Sequence, residues 1–248
     1  MNTFLTLWHR EVTSWFRTFI AYVVGVFFLI VTGFSLWMTA IRMTQGNATG
    51  DMPGSLFASP WFWLAMLIAI PLLTMRLFAE ERRLGTLEML LTAPVTETEV
   101  VLAKFAGAWF VFLLLWSPTL AYSFLLQACG AVLPPLDGGA LATGFFGTML
   151  VGAFFLAMGL LFSLLTRHQA IAAMGSLGGL GVLLSAGALP ASFHSEHLRQ
   201  IVRTISAPMH MRDFAAGIVD TRTVIWYVSA TALLLFISIR MLEARRLR

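Results

Sequence analysis

Residues 76–104 read RLFAEERRLGTLEMLLTAPVTETEVVLAK and lie between two long apolar runs. This block from Arg76 to Lys104 holds nine of the 28 charged residues and the only lysine, in a chain that is 58% hydrophobic and 11% charged. A chain this apolar is far from an ordinary soluble domain, and its mean hydropathy is +0.84. Charge concentrated in one short segment of such a protein marks a part displayed to water.

Working outward from the block, stretches free of Asp, Glu, Lys and Arg occur at Thr18–Ile41, Met52–Met75, Phe105–Leu136, Gly138–Thr166, His168–Ser195 and Thr223–Ile239. About 20 apolar residues at about 1.5 Å each cross a bilayer's hydrocarbon core. The pattern predicts an all-α polytopic membrane protein with a single transmembrane domain over 1–248. Its six spans are expected at 18–41, 56–76, 105–129, 140–166, 169–190 and 223–241. The segment 1–17 is expected as an amphipathic helix in the interface, because Phe4, Leu5, Trp8, Val12, Trp15 and Phe16 share one helical face. It is too long and too amphipathic for the start of a cleaved signal. With the N-terminus inside, eleven basic residues fall on inner segments and five on outer ones, which favours both termini in the cytoplasm. The net charge of +4 is then a topology signal, and nucleic acid is not expected as a partner.

Local punctuation supports this division. Gly85 is expected to break the helix leaving the second span, and Thr86 to cap a short helix over Leu87–Leu91 that Pro94 ends. Leu87, Leu90 and Leu91 would face away from lipid and suit a groove on a soluble partner, with Glu88 in the first turn. The same residues also suit a plain solvated loop. Thr96 with Glu99 forms a capping-box pattern, and Thr166 with Gln169 another. The stretch 191–222 is too charged to cross; it is expected as two short amphipathic helices in the outer leaflet, with Gly217 stopping the second.

Several chemistries are excluded or lack candidates. Within the expected spans the only Asp, Glu, Lys or Arg are Arg76 and Arg240 at their ends, so no ionisable group of this kind lies at depth, which disfavours a self-contained ion-coupled carrier. A P-loop needs a glycine before its lysine, and Lys104 follows Ala103, so ATP would have to be bound by another chain. No catalytic triad, carboxylate pair or zinc spacing is present, and no catalytic, cofactor or metal site is expected. Met209, His210 and Met211, with His194 and His197 nearby, offer soft ligands that could suit Cu(I), but methionines are routine in apolar helices. The single Cys129 is expected to be simply buried.

The run LTMRLFAEERRLGTLEMLLTAPVTETEVVLAKF resembles the signature of type-2 ATP-binding-cassette (ABC) permeases, in detail the gliding-motility branch related to the permease of nitrous oxide reductase maturation. HREVTSWFRT, LLTRHQAIAA, SAPMHMRDFAAGIVDTRTVIWY and LEARRLR extend the likeness over nearly the whole chain. Ala103 departs from the glycine usual before the lysine. The resemblance implies that Glu80, Glu81, Arg82, Gly85, Thr86, Leu87, Glu88, Leu90 and Pro94, within a cytoplasmic segment 77–99, dock on a nucleotide-binding subunit. It implies a second inner contact at Thr166 and Gln169, and a permease dimer seam at Gly175 and Gly179. The implied partners are two ABC ATPase copies carrying ATP and Mg, a second permease copy or paralogue, a periplasmic-domain membrane protein and the bilayer. The implied location is the bacterial inner membrane, and the implied role is export or force transmission to a periplasmic partner. An ATP-independent carrier or channel, and a non-transporting anchor of a periplasmic complex, remain as alternatives.

Overall fold

The computed structural model describes residues 3–44, 52–86, 95–128, 137–185 and 204–246, all of them in helices and their connections, with no strand among them. The helices are α1 Thr3–Phe16, α2 Phe19–Thr44, α3 Met52–Phe57, α4 Pro60–Thr74, α5 Ala79–Leu84, α6 Glu97–Ala128, α7 Gly138–Leu165, α8 Gln169–Ser185, α9 Ala207–Ala215 and α10 Thr221–Arg246. Five segments are long and apolar enough to span a bilayer: Phe19–Arg42, Pro60–Leu84, Glu97–Tyr122, Gly138–Leu165 and Thr221–Ala244. Helix α8 is apolar but has only 17 described residues. The protein is therefore an all-helical, multi-pass membrane protein.

Helix α7 is the axis of the bundle, packed by α4, α6, α8, α9 and α10. Glycines along it let neighbours approach closely, because a Cβ at each would collide with a side chain from another helix. An added Cβ would lie 2.6 Å from Phe57 at Gly144, 2.6 Å from Phe214 at Gly147, 2.3 Å from Phe112 at Gly152 and 2.2 Å from Thr74 at Gly159. One glycine row thus receives α3, α9, α6 and α4 in turn. The core then fills with Phe28, Phe62, Phe112 and Trp116, whose rings contact one another edge-on or tilted.

Three expectations change. The second span does not begin in the run's first turns: Met52–Phe57 is a separate helix, and Ser59 restarts the chain by accepting from Phe62 N at 3.1 Å, with Pro60 in the first turn. The described half of the outer hairpin, α9, does not lay its apolar face on lipid. Met211, Phe214 and Ala215 are buried against the chain's own helices, in the notch that Gly147 leaves on α7. Finally, Thr166 does not cap α8: its hydroxyl accepts from His168 N at 3.1 Å, and His168 supplies the carbonyl for the first turn. Leu198, Ile201 and Val202, whose spacing predicts the first of the two outer helices, lie outside the described residues, as do His194, His197 and Cys129.

Other expectations hold. Thr96 and Glu99 form the reciprocal box: Thr96 N donates to Glu99 Oε2 at 3.0 Å, and Glu99 N donates to Thr96 Oγ1 at 3.3 Å. Helix α6 opens at Glu97, directly after Thr96, where the capping box places its start. Its 32 residues reach about 48 Å against a core of about 30 Å, so its first turns project from the membrane. Gly85 ends α5 at φ +73°, and Gly217 follows α9 at φ +82°.

Candidate functional site

At the end of the bundle that carries α1 and α5, the chain gathers most of its described ion pairs. Lys104, on the projecting part of α6, has its side chain only 3% exposed. Its Nζ donates to Glu11 Oε1 of α1 and to Glu81 Oε1 of α5, both at 2.9 Å. Arg10 joins them, 3.1 Å from Glu11 and 3.5 Å from Glu81. A buried lysine is tolerable only with such pairing, since an uncompensated charge at this depth would be neutralised or expelled. Burial works against the charge on Glu11, but Lys104 and Arg10 outweigh it and hold that carboxyl below its ordinary value. Lys104 is therefore a knot joining three helices that are distant in sequence.

The partners reach it for local reasons. Helix α1 lies along α6, with Trp8 edge-on to Phe110 at 5.4 Å and Thr3 bonded to Glu99. Gly107, one turn beyond Lys104, leaves room for the Glu11 stem, whose Cβ would be 3.1 Å from a Cβ at that position. Helix α5 is anchored at its start by Ser163 of α7, whose Oγ accepts from Phe78 N and Ala79 N at 3.1 Å each and donates to Met75 O at 3.3 Å. Arg82 caps the end of α7 by donating to Leu164 O at 2.7 Å. Arg76 and Glu80 pair across one turn at 3.0 Å. Helix α5 is thus tied to α7 through Ser163 and Arg82, and to α6 and α1 through Lys104.

Of the residues expected at the docking segment, Glu80, Glu81, Arg82, Gly85 and Thr86 are brought together on α5 and its exit. Gly85 and Thr86 are exposed, and the Thr86 hydroxyl reaches back to Glu81 O at 3.4 Å. Leu87, Glu88, Leu90, Leu91 and Pro94 lie outside the described residues. Thr166 and Gln169 form the turn between α7 and α8, close to α5. Gly175 and Gly179 are approached from within the chain: Phe162 and Met158 of α7 lie beside them, 2.9 Å from where each Cβ would stand. Their close approach is used inside one chain. Among the described residues no group of three or more His, Cys, Asp or Glu could hold a metal. His210 Nδ1 shares a hydrogen bond with Tyr227 Oη at 3.2 Å, and Met211 is fully buried.

Comparison with known families agrees with this architecture. A family model described as ABC-2 family transporter protein matches residues 35–239, more than four-fifths of the chain. The chain belongs to the ABC-2 transporter family. No curated protein matches it. As an ABC-2 protein it is a membrane permease component of an ABC transporter, and the family implies an ABC ATPase as partner. The match begins at residue 35, so α1 and Glu11 lie outside it, whereas α5 and Lys104 lie within. Sequence reasoning had treated Lys104 only as a lysine that cannot serve a P-loop. The overlooked signal was an acid, Glu11, on the polar side of an amphipathic helix, matched to a lone lysine in an otherwise lysine-free chain.

Proposed function

We propose that this ABC-2 permease couples ATP hydrolysis by a separate nucleotide-binding subunit to export, or to force transmission to a partner across the membrane. In this reading α8 completes six spans and both termini are cytoplasmic in a bacterial inner membrane. The ATPase docks on the segment 77–99, with Thr166 and Gln169 as a second contact. Two permease copies and two ATPases make the working unit, in the manner of the gliding-motility branch. Since Phe162 and Met158 fill the Gly175–Gly179 face, the second copy would meet the neighbouring face of α8, where Gly178 and Gly181 have no neighbour within 4 Å and Met174 and Val182 are largely exposed.

The observation that carries the proposal is the Lys104 knot. A docking segment that merely anchored a soluble subunit would need no buried ionic tie to two other helices. One that must move spans needs a stiff connection, and α5 has it on both sides. An ATPase that binds two permease conformations unequally shifts their balance by that difference in affinity.

The test is to co-express the chain with its ATPase, purify the complex in mild detergent and measure ATP hydrolysis. Glu81→Ala should leave less ATPase attached or uncouple its hydrolysis from the permease, and Gly85→Pro should do so more severely. Full attachment and normal coupling in both variants would overturn the reading. So would solute flux in liposomes driven by this chain alone, which is what an ATP-independent carrier predicts.

A further inference from the structure

Beside the Lys104 knot is a cavity of about 310 Å³, open to one side, between α1, the α4–α5 junction and α6. Its position is that of lipid headgroups. Thr18 on its wall is the last residue before the first span begins at Phe19, and Arg76 and Leu77 follow the end of α4 at Thr74. Trp15 and Leu77 give it an apolar side, and indole rings favour this depth. Beyond Thr18, the span exposes Phe19, Tyr22, Val23 and Val26 at helical spacing, a surface suited to an acyl chain.

The charges lining the cavity are of both signs. Arg10 is half-exposed, with its side chain at 51%, and Arg76 lies across from it at 24%. Glu80 and Glu81 line the same space at 30% and 21%. Lys104 is fully engaged by Glu11 and Glu81, yet Glu81 Oε2 accepts no hydrogen bond within the protein. Two guanidinium groups beside two carboxylates, one of them under-used, complement a group that is itself zwitterionic.

We infer that this cavity binds the headgroup of a phospholipid bearing a primary ammonium, with its phosphate at Arg10 and Arg76 and its ammonium at Glu80 and Glu81. Guanidinium groups hold phosphate through paired, charge-assisted bonds, and an ammonium supplies the donor that Glu81 Oε2 lacks. A trimethylated headgroup has no such donors, and an anionic headgroup has no cation. The site does not depend on the proposed ATPase coupling, because it needs only that α1 lie at a membrane interface.

The test is native mass spectrometry of the delipidated full-length chain, offered phosphatidylethanolamine, phosphatidylcholine or phosphatidylglycerol with identical acyl chains. Phosphatidylethanolamine should be retained roughly tenfold better than phosphatidylcholine, the effect of about one charge-assisted hydrogen bond. Ser14→Trp fills the cavity from exposed Ser14 without touching an ion pair and should abolish the preference. Arg10→Gln should weaken retention of all three lipids, and it decides the matter if Ser14→Trp does not fold by circular dichroism. Equal retention of the three lipids, preference for phosphatidylglycerol, an unchanged preference in folded Ser14→Trp, or undiminished retention in Arg10→Gln would overturn the inference. Displacement of bound phosphatidylethanolamine by millimolar inorganic phosphate alone would also overturn it, by showing a simple phosphate site.

Discussion

Replacing Lys104 with methionine tests the ionic knot directly. The substitution keeps an unbranched chain of similar length but removes the charge that Glu11 and Glu81 share, leaving two carboxylates 14% and 21% exposed that both lean on one ammonium. Removing one partner of a buried pair costs about 3–5 kcal/mol, because the remaining charge stays buried. Arg10 still lies 3.1 Å from Glu11 and 3.5 Å from Glu81, which points to the lower end, about 3 kcal/mol. For a chain of this size that is a fall in melting temperature of roughly 6–12 °C. Thermal unfolding followed by circular dichroism in one detergent would read it. The triple variant Lys104→Met, Glu11→Gln, Glu81→Gln removes both the ammonium and the orphaned carboxylates and should recover most of the loss, since a buried pair replaced as a whole is often neutral. If Lys104→Met melts with the wild type, or the triple variant melts as low as the single one, the knot does not carry the load assigned to it.

Other outcomes follow from the same geometry. Because the Glu11 carboxyl is held below its ordinary value of 4.5, its pairing adds stability above that pH and loses it as acidification passes the folded pKa. The packing of α1 on α6, read by hydrogen exchange of α1 amides, should therefore loosen in acid, and Glu11→Gln should remove that part of the dependence. Ser163→Ala strips the acceptor from two buried N–H groups at the start of α5 and should cost about 1–3 kcal/mol. A melting temperature equal to the wild type's would show that α5 is held by other means. Gly159→Ala, whose Cβ would stand 2.2 Å from Thr74, should destabilise the bundle by about 1–3 kcal/mol, whereas Gly33→Ala, with nothing within 4 Å, should not. Equal behaviour of the two glycines in thermal unfolding would contradict the packing of α4 on α7.

What local chemistry dictates was legible in the sequence. The Thr96–Glu99 box, the Gly85 stop and the positive φ at Gly217 each depend on residues within one turn, and they formed as their spacing required. The apolar runs marked the spanning helices for the same kind of reason: a bilayer imposes length and composition on each segment separately. Even here neighbours intervened. Thr166 had the right spacing for a cap, but the chain leaves α7 there in an extended conformation, and His168 took the role.

Contacts between helices distant in sequence were set only by the tertiary structure. Lys104 meets Glu11 and Glu81 across 93 and 23 residues, and no periodicity encodes such a meeting. The same holds for glycine: Gly175 and Gly179 permit close approach, but whether the approaching surface belongs to α7 or to another copy depends on where Phe162 points. Amphipathicity likewise told that α9 has an apolar face, while the notch at Gly147 decided that this face meets protein and not lipid. The sequence by itself determined a membrane protein with a charged block between its spans, because hydrophobicity and capping act along the chain. That this block is knotted to the N-terminal helix through a buried lysine was decided by tertiary packing, because charge pairing and shape act across it.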